Sequence, residues 1–164
     1  MIIDGRSRKA ALKRIAKQAM DNNIHPEIHG WFKENDKWCL CDGYRFVRLK
    51  DKVDIDIEDA TGMNLQQFVG ELKEEVVFPD METLKAWIKD KTTKNKPFRL
   101  EYGKDKLILV NASYLKDMLD IFGQPFCNIC QAGSFETLYF TGDDGDGSCS
   151  RLDKEDKERF EPIF

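Results

Sequence analysis

The chain has 164 residues, of which 34% are charged and 41% are hydrophobic, and its formal net charge is -4 at pH 7. This composition is typical of a soluble globular protein and argues against a disordered chain. No apolar run approaches the roughly 20 residues that a membrane-spanning helix needs. The charged start MIIDGRSRKA lacks the apolar core of a signal peptide. We therefore expect a cytoplasmic protein with no membrane partner.

The first helix predicted is amphipathic and carries a basic stripe. Ser7 is a candidate N-cap, and four apolar residues follow at helical spacing, Leu12, Ile15, Ala16 and Ala19. Basic residues lie on a different arc, at Arg6, Lys9, Lys13, Arg14 and Lys17, and Asp4 is the single acid among residues 1–20. A stripe of one charge sign favours contact with nucleic-acid phosphates. The alternative is an ordinary solvated helix face.

Residues 28–49 predict a run of short antiparallel strands. The segments IHGWFKE, KWCLC and YRFVRL are rich in aromatic and apolar residues. Polar turns separate them at Asn35-Asp36 and at Asp42-Gly43, and Asp-Gly is a strong hairpin signal.

Residues 51–105 break this rhythm and are predicted to be an insertion with helical parts. Its first stretch, DKVDIDIEDATG, is acidic and typical of a loop. Asn64 is then a candidate cap for a helix with apolar positions 65, 68, 69 and 72. A second helix is predicted to begin after Pro79-Asp80 and to run into the basic loop KDKTTKNK.

The rest of the chain returns to the first pattern. The segment FRLEYGKDKLILVNA predicts a hairpin that turns at Gly103-Lys104. A helix follows, capped by Asn111 or Ser113 and ended by Gly123. Three short strands, FCNICQ, ETLYFTG and SCSRL, then precede a charged tail at residues 153–164.

Both flanks of the insertion therefore have the pattern of a strand, an amphipathic helix and several short strands, and the strand of the first flank is MIID at residues 1–4. This repeat predicts an α+β fold in which two β-α-β-β-β units place two packed helices on an antiparallel sheet. We expect a single domain at residues 1–152, interrupted at about 51–105, followed by the tail.

This arrangement resembles one domain of the bacterial DNA polymerase sliding clamp, the beta subunit or processivity factor. The family carries a T-D-G-H-R-L motif after a hairpin strand, and HGWFKENDKWCLCDGYRFVRL is similar to it, with Cys41 in place of Thr and Tyr44 in place of His. LILVNASYLKDMLDIFG resembles the strand and leucine-rich helix of the family. The resemblance covers residues 5–50 and 106–152. A family chain has three such domains, whereas this chain has length for one domain plus an insertion. The resemblance is therefore to a clamp-domain-like protein of a phage or another mobile element.

The resemblance implies a clamp-like, non-enzymatic protein that acts with DNA in replication or repair. The helix with the basic stripe would contact duplex DNA, and copies of the chain would form a homo-oligomer. A peptide from a polymerase or another replication protein would bind a groove formed by Cys41, Gly43, Tyr44, Arg45 and Phe46. Two alternatives stay open: Asp42-Gly43 is an ordinary turn with Tyr44 and Phe46 in the core, or the chain is a protein-interaction or regulatory module without DNA binding.

Catalytic and metal-binding motifs are weak in this sequence. It has no P-loop, no G-x-S-x-G, no G-x-G-x-x-G after a strand and only two histidines, so we expect neither an enzyme nor a cofactor. A third hypothesis is a thiol or zinc protein that uses Cys39, Cys41, Cys127 and Cys130. C-x-C is not a usual zinc spacing, and buried cysteines often act as small apolar residues. We therefore expect strand packing and no metal.

Overall fold

A computed structural model describes residues 3–22, 25–90, 96–123, 125–133 and 135–152. Within these residues the fold is α+β, as predicted, with three helices and a mostly antiparallel seven-stranded sheet. The helices are α1 (Gly5–Asn22), α2 (Met81–Asp90) and α3 (Ala112–Phe122). The strands are β1 (Phe32–Glu34), β2 (Lys37–Cys41), β3 (Arg45–Leu49), β4 (Glu71–Glu75), β5 (Pro97–Tyr102), β6 (Lys106–Asn111), β7 (Phe126–Ala132), β8 (Phe135–Gly142) and β9 (Gly145–Ser150). The predicted tail at 153–164 lies outside the described residues.

The seven-stranded sheet has the order β1-β2-β3-β9-β8-β7-β4. The three strands of the first unit therefore run outward from the centre on one side, and the three strands of the second unit run outward on the other. Strands β3 and β9 form the central antiparallel pair, with Arg45 opposite Cys149 and Leu49 opposite Gly145. Strand β6, which precedes α3, is not in this sheet and pairs with β5 instead, so the predicted pair of β-α-β-β-β units stays a prediction. The strand predicted before α1 falls partly outside the described residues, and Ile3 and Asp4 are not in a strand.

Helices α1 and α3 pack against each other on one face of this sheet. Leu12 and Ile15 of α1 are fully buried, and they join Leu115 of α3 and Val47 of β3 in the main hydrophobic core. Burying these side chains stabilises the fold by about 1.5–3 kcal/mol each before the entropy cost of ordering them.

The ends of the two helices have clear local causes. The Asn111 Oδ1 atom accepts hydrogen bonds from the N–H groups of Ser113 and Tyr114, and Gly123 ends α3 with φ +77°. At α1 the predicted cap is wrong by three residues. Asp4 Oδ1 accepts from the backbone N–H of Arg6 and of Ser7, so the helix begins at Gly5.

The opposite face of the sheet is covered by part of the predicted insertion. Cys39, Cys41 and Phe46 point to this face, because side chains alternate along a strand, and they pack with Leu65. Leu65 opens a single 3-10 turn, Leu65–Phe68, whose cap is Asn64 as predicted. The longer helix predicted there is wrong, since the chain next forms β4 against β7.

The second half of the predicted insertion packs against α3 and β6. Helix α2 packs on α3, and β5 pairs with β6 in a hairpin that turns at Gly103, as predicted. Isolated bridges connect Val76 to Tyr102 and Leu109 to Leu152. The division into one domain and an insertion at 51–105 stays a prediction.

Candidate functional site

The basic residues predicted on the first helix all lie on the exposed side of α1. Ala11, Leu12, Ile15, Ala16 and Ala19 occupy the buried side. Because an α-helix has 3.6 residues per turn, positions 6, 9, 13, 14 and 17 then face away from the sheet, and all five are exposed.

Two of these five cations form ion pairs with carboxylates, and three do not among the described residues. Lys17 Nζ lies 2.8 Å from Asp21, one turn along the same helix, and Arg14 Nη2 lies 2.6 Å from Asp117 Oδ1 on α3. Among the described residues, Arg6, Lys9 and Lys13 form no ion pair. The N-terminal half of α1 therefore carries cations that are available to a ligand.

The Asp42–Arg45 turn is held by its own aspartate. Asp42 Oδ1 accepts from the N–H groups of Tyr44 and Arg45, both at 2.9 Å, and Gly43 takes φ +94°. The Asp42 Oδ2 atom accepts from Arg45 Nε at 2.9 Å. A short acidic side chain and a glycine are what such a tight turn requires.

Arg45 continues from this turn into a buried ionic cluster. Its Nη1 atom donates to Asp117 Oδ2 at 2.7 Å, and its guanidinium carbon lies 4.1 Å from the centre of the Tyr114 ring. Burial opposes the charge on Arg45, but the carboxylates of Asp42 and Asp117 outweigh it and raise the pKa of the guanidinium. Arg45 therefore stays a cation inside the fold, and Asp117 joins it to Arg14 at the surface.

The residues predicted to bind a partner peptide are mostly inside the protein. Cys41, Arg45 and Phe46 are buried, and so is the backbone at Gly43. Tyr44 is the one member of the five with a partly exposed side chain. Their role in binding a partner stays a prediction, and a ligand at this position would meet Tyr44.

Two groups predicted as separate sites meet in one cleft. A cleft of about 410 Å³ lies over α3 and is lined by Arg14 and Lys17 from the basic stripe and by Arg45 from the turn. The remaining lining residues are Gln18 and Asp21 of α1, Ser113, Tyr114, Lys116 and Asp117 of α3, and Ile88 of α2. Asp21 pairs with Lys17, and Asp117 pairs with Arg14 and Arg45, so the cleft contains both charge signs.

Sequence reasoning missed Asp117, although the sequence holds an indirect signal for it. Arg45 and Arg48 both stand in the strand RFVRL among apolar residues, and a buried guanidinium needs a carboxylate partner. Helical periodicity cannot identify which carboxylate this is. Asp117 lies beside the apolar stripe of α3 and is buried because α1 packs over it.

The cysteines are packing residues in this structure. Cys39 and Cys41 pack with Phe46 and Leu65 on the sheet face opposite α1 and α3, and Cys127 and Cys149 lie in the main core. All five thiols are free and buried. Burial raises the pKa of Cys39 and of Cys149 to about 12, which disfavours the thiolate that metal binding or nucleophilic chemistry needs. Among the described residues, no group of three His, Cys, Asp or Glu side chains is placed to hold a metal ion.

No helix in the described part of the chain combines the length and the apolar character needed to cross a membrane. Compared with known proteins, the chain matches no protein-family model, no curated protein and no solved structure.

Proposed function

We propose that the chain is a non-enzymatic, DNA-associated protein with a sliding-clamp-like domain, and that it binds duplex DNA along α1. The observation that carries this proposal is the exposed face of α1, where Arg6, Lys9 and Lys13 have no acidic partner among the described residues. Free cations in a row bind the phosphate backbone by releasing its counterions, without reading the sequence.

The arrangement of elements supports the same proposal. Helices α1 and α3 lie side by side on one sheet face, and this supports the proposal because the clamp resemblance implies two packed helices. Helix α2 covers part of α3, so α1 offers the more open of the two helices to a long ligand.

Salt titration of DNA binding is the direct test. A labelled duplex of mixed sequence, followed by fluorescence anisotropy, is expected to bind more weakly as NaCl rises. If three cations each neutralise one phosphate, log K should fall with log [salt] with a slope of about -3. The double variant Lys9→Glu, Lys13→Glu is expected to weaken binding and to reduce this slope to about -1, because Arg6 remains.

The matched control places the same charge change elsewhere. Lys73 and Lys104 are exposed, lie away from α1 and form no ion pair among the described residues. The variant Lys73→Glu, Lys104→Glu should bind DNA with nearly the parental affinity and slope. Equal losses in both double variants would mean that total charge, not α1, governs binding. No saturable binding at low salt would contradict the proposal and favour a protein-interaction module.

A further inference from the structure

A second open feature lies at the end of the molecule where α1 begins and α3 ends. The groove has a volume of about 710 Å³ and is bordered by the start of α1, the end of α3 and the segment between β4 and α2. Neither the basic stripe nor the Asp42–Arg45 turn contributes to it. It is therefore separate from the surface proposed to meet DNA.

The groove contains apolar side chains that face water. Val77 is 80% exposed and Phe126 is 72% exposed. The other exposed large apolar residues in the described part of the chain are Met20 and Leu72, and neither lines the groove. Leu119 and Val76 form a buried apolar floor beside the two exposed residues. Apolar surface that is concentrated in a concave site is typical of protein interaction sites.

The polar groups around these apolar residues are mainly carboxylates. The groove is lined by four acids, Asp4, Glu75, Asp80 and Asp120, and by a single base, Lys85. Asp4 accepts backbone hydrogen bonds at the start of α1, and Asp80 accepts one from Thr83 at the start of α2. Hydrogen bonds from backbone N–H groups lower the pKa of Asp80, so this carboxylate is ionised at neutral pH.

We propose that this groove binds a cationic peptide segment of another protein, with one or two large apolar side chains against Val77 and Phe126 and with Lys or Arg side chains towards the acidic rim. Opposite charge at the rim steers the partner and fixes its orientation, while the apolar anchors supply most of the affinity.

A second copy of the chain is a poorer occupant than a separate partner. Of the exposed apolar residues outside the groove, Leu72 stands on β4, which has three acids, Glu71, Glu74 and Glu75, and one base, Lys73. An acidic strand would be repelled by the acidic rim. Met20 is a single exposed side chain on α1, with no second large apolar residue of α1 exposed beside it.

The experiment uses fluorescein-labelled peptides of about twelve residues, a length that fits groove recognition. One set combines Phe or Leu anchors with Lys and Arg, and a matched set has Glu in place of the bases. Binding to the full chain is measured by anisotropy. Saturable binding of cationic peptides, at least about ten-fold tighter than that of their acidic partners, is expected.

Two double variants with similarly exposed positions assign the binding to the groove. Val77→Ser with Phe126→Ser should weaken the cationic peptides about ten-fold or more, whereas Met20→Ser with Leu72→Ser should leave them unchanged. Glu75→Gln should weaken them less than the loss of the anchors does. Circular dichroism confirms that each variant is folded, and the Lys9→Glu, Lys13→Glu variant should bind the peptides normally.

Three results would overturn the proposal. The first is equal binding of acidic and cationic peptides, or none of either set. The second is concentration-dependent self-association that disappears in the Val77→Ser, Phe126→Ser variant, since the groove would then hold a second copy. The third is a large gain in peptide affinity when the chain is truncated after Leu152. Residues 153–164 would then be the occupant of the groove and would compete with the added peptide.

Discussion

Asp117 is the residue on which the interior charge balance depends. It accepts from Arg45, whose side chain is 1% exposed, and from Arg14 at the surface. A buried ion pair contributes little net stability compared with apolar packing, but removal of one partner leaves an uncompensated charge in the interior. The guanidinium of Arg45 would keep Asp42 as its one remaining carboxylate partner among those described.

The variant Asp117→Ala should therefore be strongly destabilised. We expect the free energy of unfolding, measured by urea denaturation, to fall by about 3–5 kcal/mol. The control is Asp120→Ala on the same helix, which removes a partly exposed pair with Lys116. Such a pair is worth less than about 1 kcal/mol. Similar losses in the two variants would show that Arg45 does not depend on Asp117.

Asp146 makes the stability of the protein depend on pH. Burial alone would raise its pKa, but hydrogen bonds from Arg48 and Tyr139 outweigh burial and lower it. A carboxyl whose folded pKa lies below its unfolded value of about 3.9 stabilises the protein above that pH. This stabilisation is lost as the pH falls through the folded pKa.

The variant Asp146→Asn should be less stable than the parent at pH 7, and the difference should shrink as the pH falls below about 4. Urea unfolding at several pH values measures both effects. Asp144→Asn serves as the control, because Asp144 is about half exposed and pairs with Arg8 at the surface. A difference that stays constant from pH 7 to pH 3 would exclude the assigned role of the Asp146 carboxylate.

At the scale of elements, helices, caps and turns can be predicted from the sequence where a local pattern of residues determines them. The period of α1 and α3, the cap at Asn111 and the stop at Gly123 are local, and all are confirmed. The hairpin turns at Asn35-Asp36 and Gly103 are local as well, and the structure has them. The exposure of the α1 cations follows from the same periodicity.

Strand β4 could not be predicted from the sequence, because its extended conformation depends on pairing with β7. Leu65, Phe68, Val69 and Leu72 have helical spacing, yet the chain leaves the 3-10 turn at Val69 and joins the sheet beside β7. Glu71–Glu75 is mostly exposed, so it shows no apolar alternation. For the same reason the pairing of Arg14 and Arg45 with Asp117 required the fold, since their contact depends on how α1, β3 and α3 are placed together.

Gly70, the residue directly before β4, lies very close to β7. A Cβ atom there would clash with the carbonyl oxygen of Gln131 on β7. Gly70→Ala should push β4 away from β7 and destabilise the protein by about 1–3 kcal/mol. Hydrogen exchange should show faster exchange of the β4 amides than in the parent.

Gly5→Ala is the matched control for this change. A Cβ atom at Gly5 meets no atom within 4 Å, and the residue begins α1. We expect no loss of stability, because alanine restricts the unfolded chain and favours the helix. Unchanged protection of β4 in Gly70→Ala would contradict the close approach to Gln131.

At the scale of the whole molecule, the proposed clamp-like function depends on how many copies assemble. The mass of one chain is 19.1 kDa, and a single domain cannot surround a duplex. If the protein encircles DNA, light scattering should give a multiple of this mass under the conditions in which DNA binds. A monomer would exclude encirclement and leave binding along one face of α1, which the salt titration tests separately.

The central pair β3 and β9 also has a consequence for synthesis on the ribosome. Arg45 and its partner Cys149 lie far apart in the chain, so β3 emerges long before β9 exists. At about 5–20 residues per second, the inner edge of β3 waits about 5–20 seconds with its N–H and C=O groups unpaired. During this interval the nascent chain presents an open sheet edge, and we expect products that end before β9 to pair with one another or to be held by chaperones.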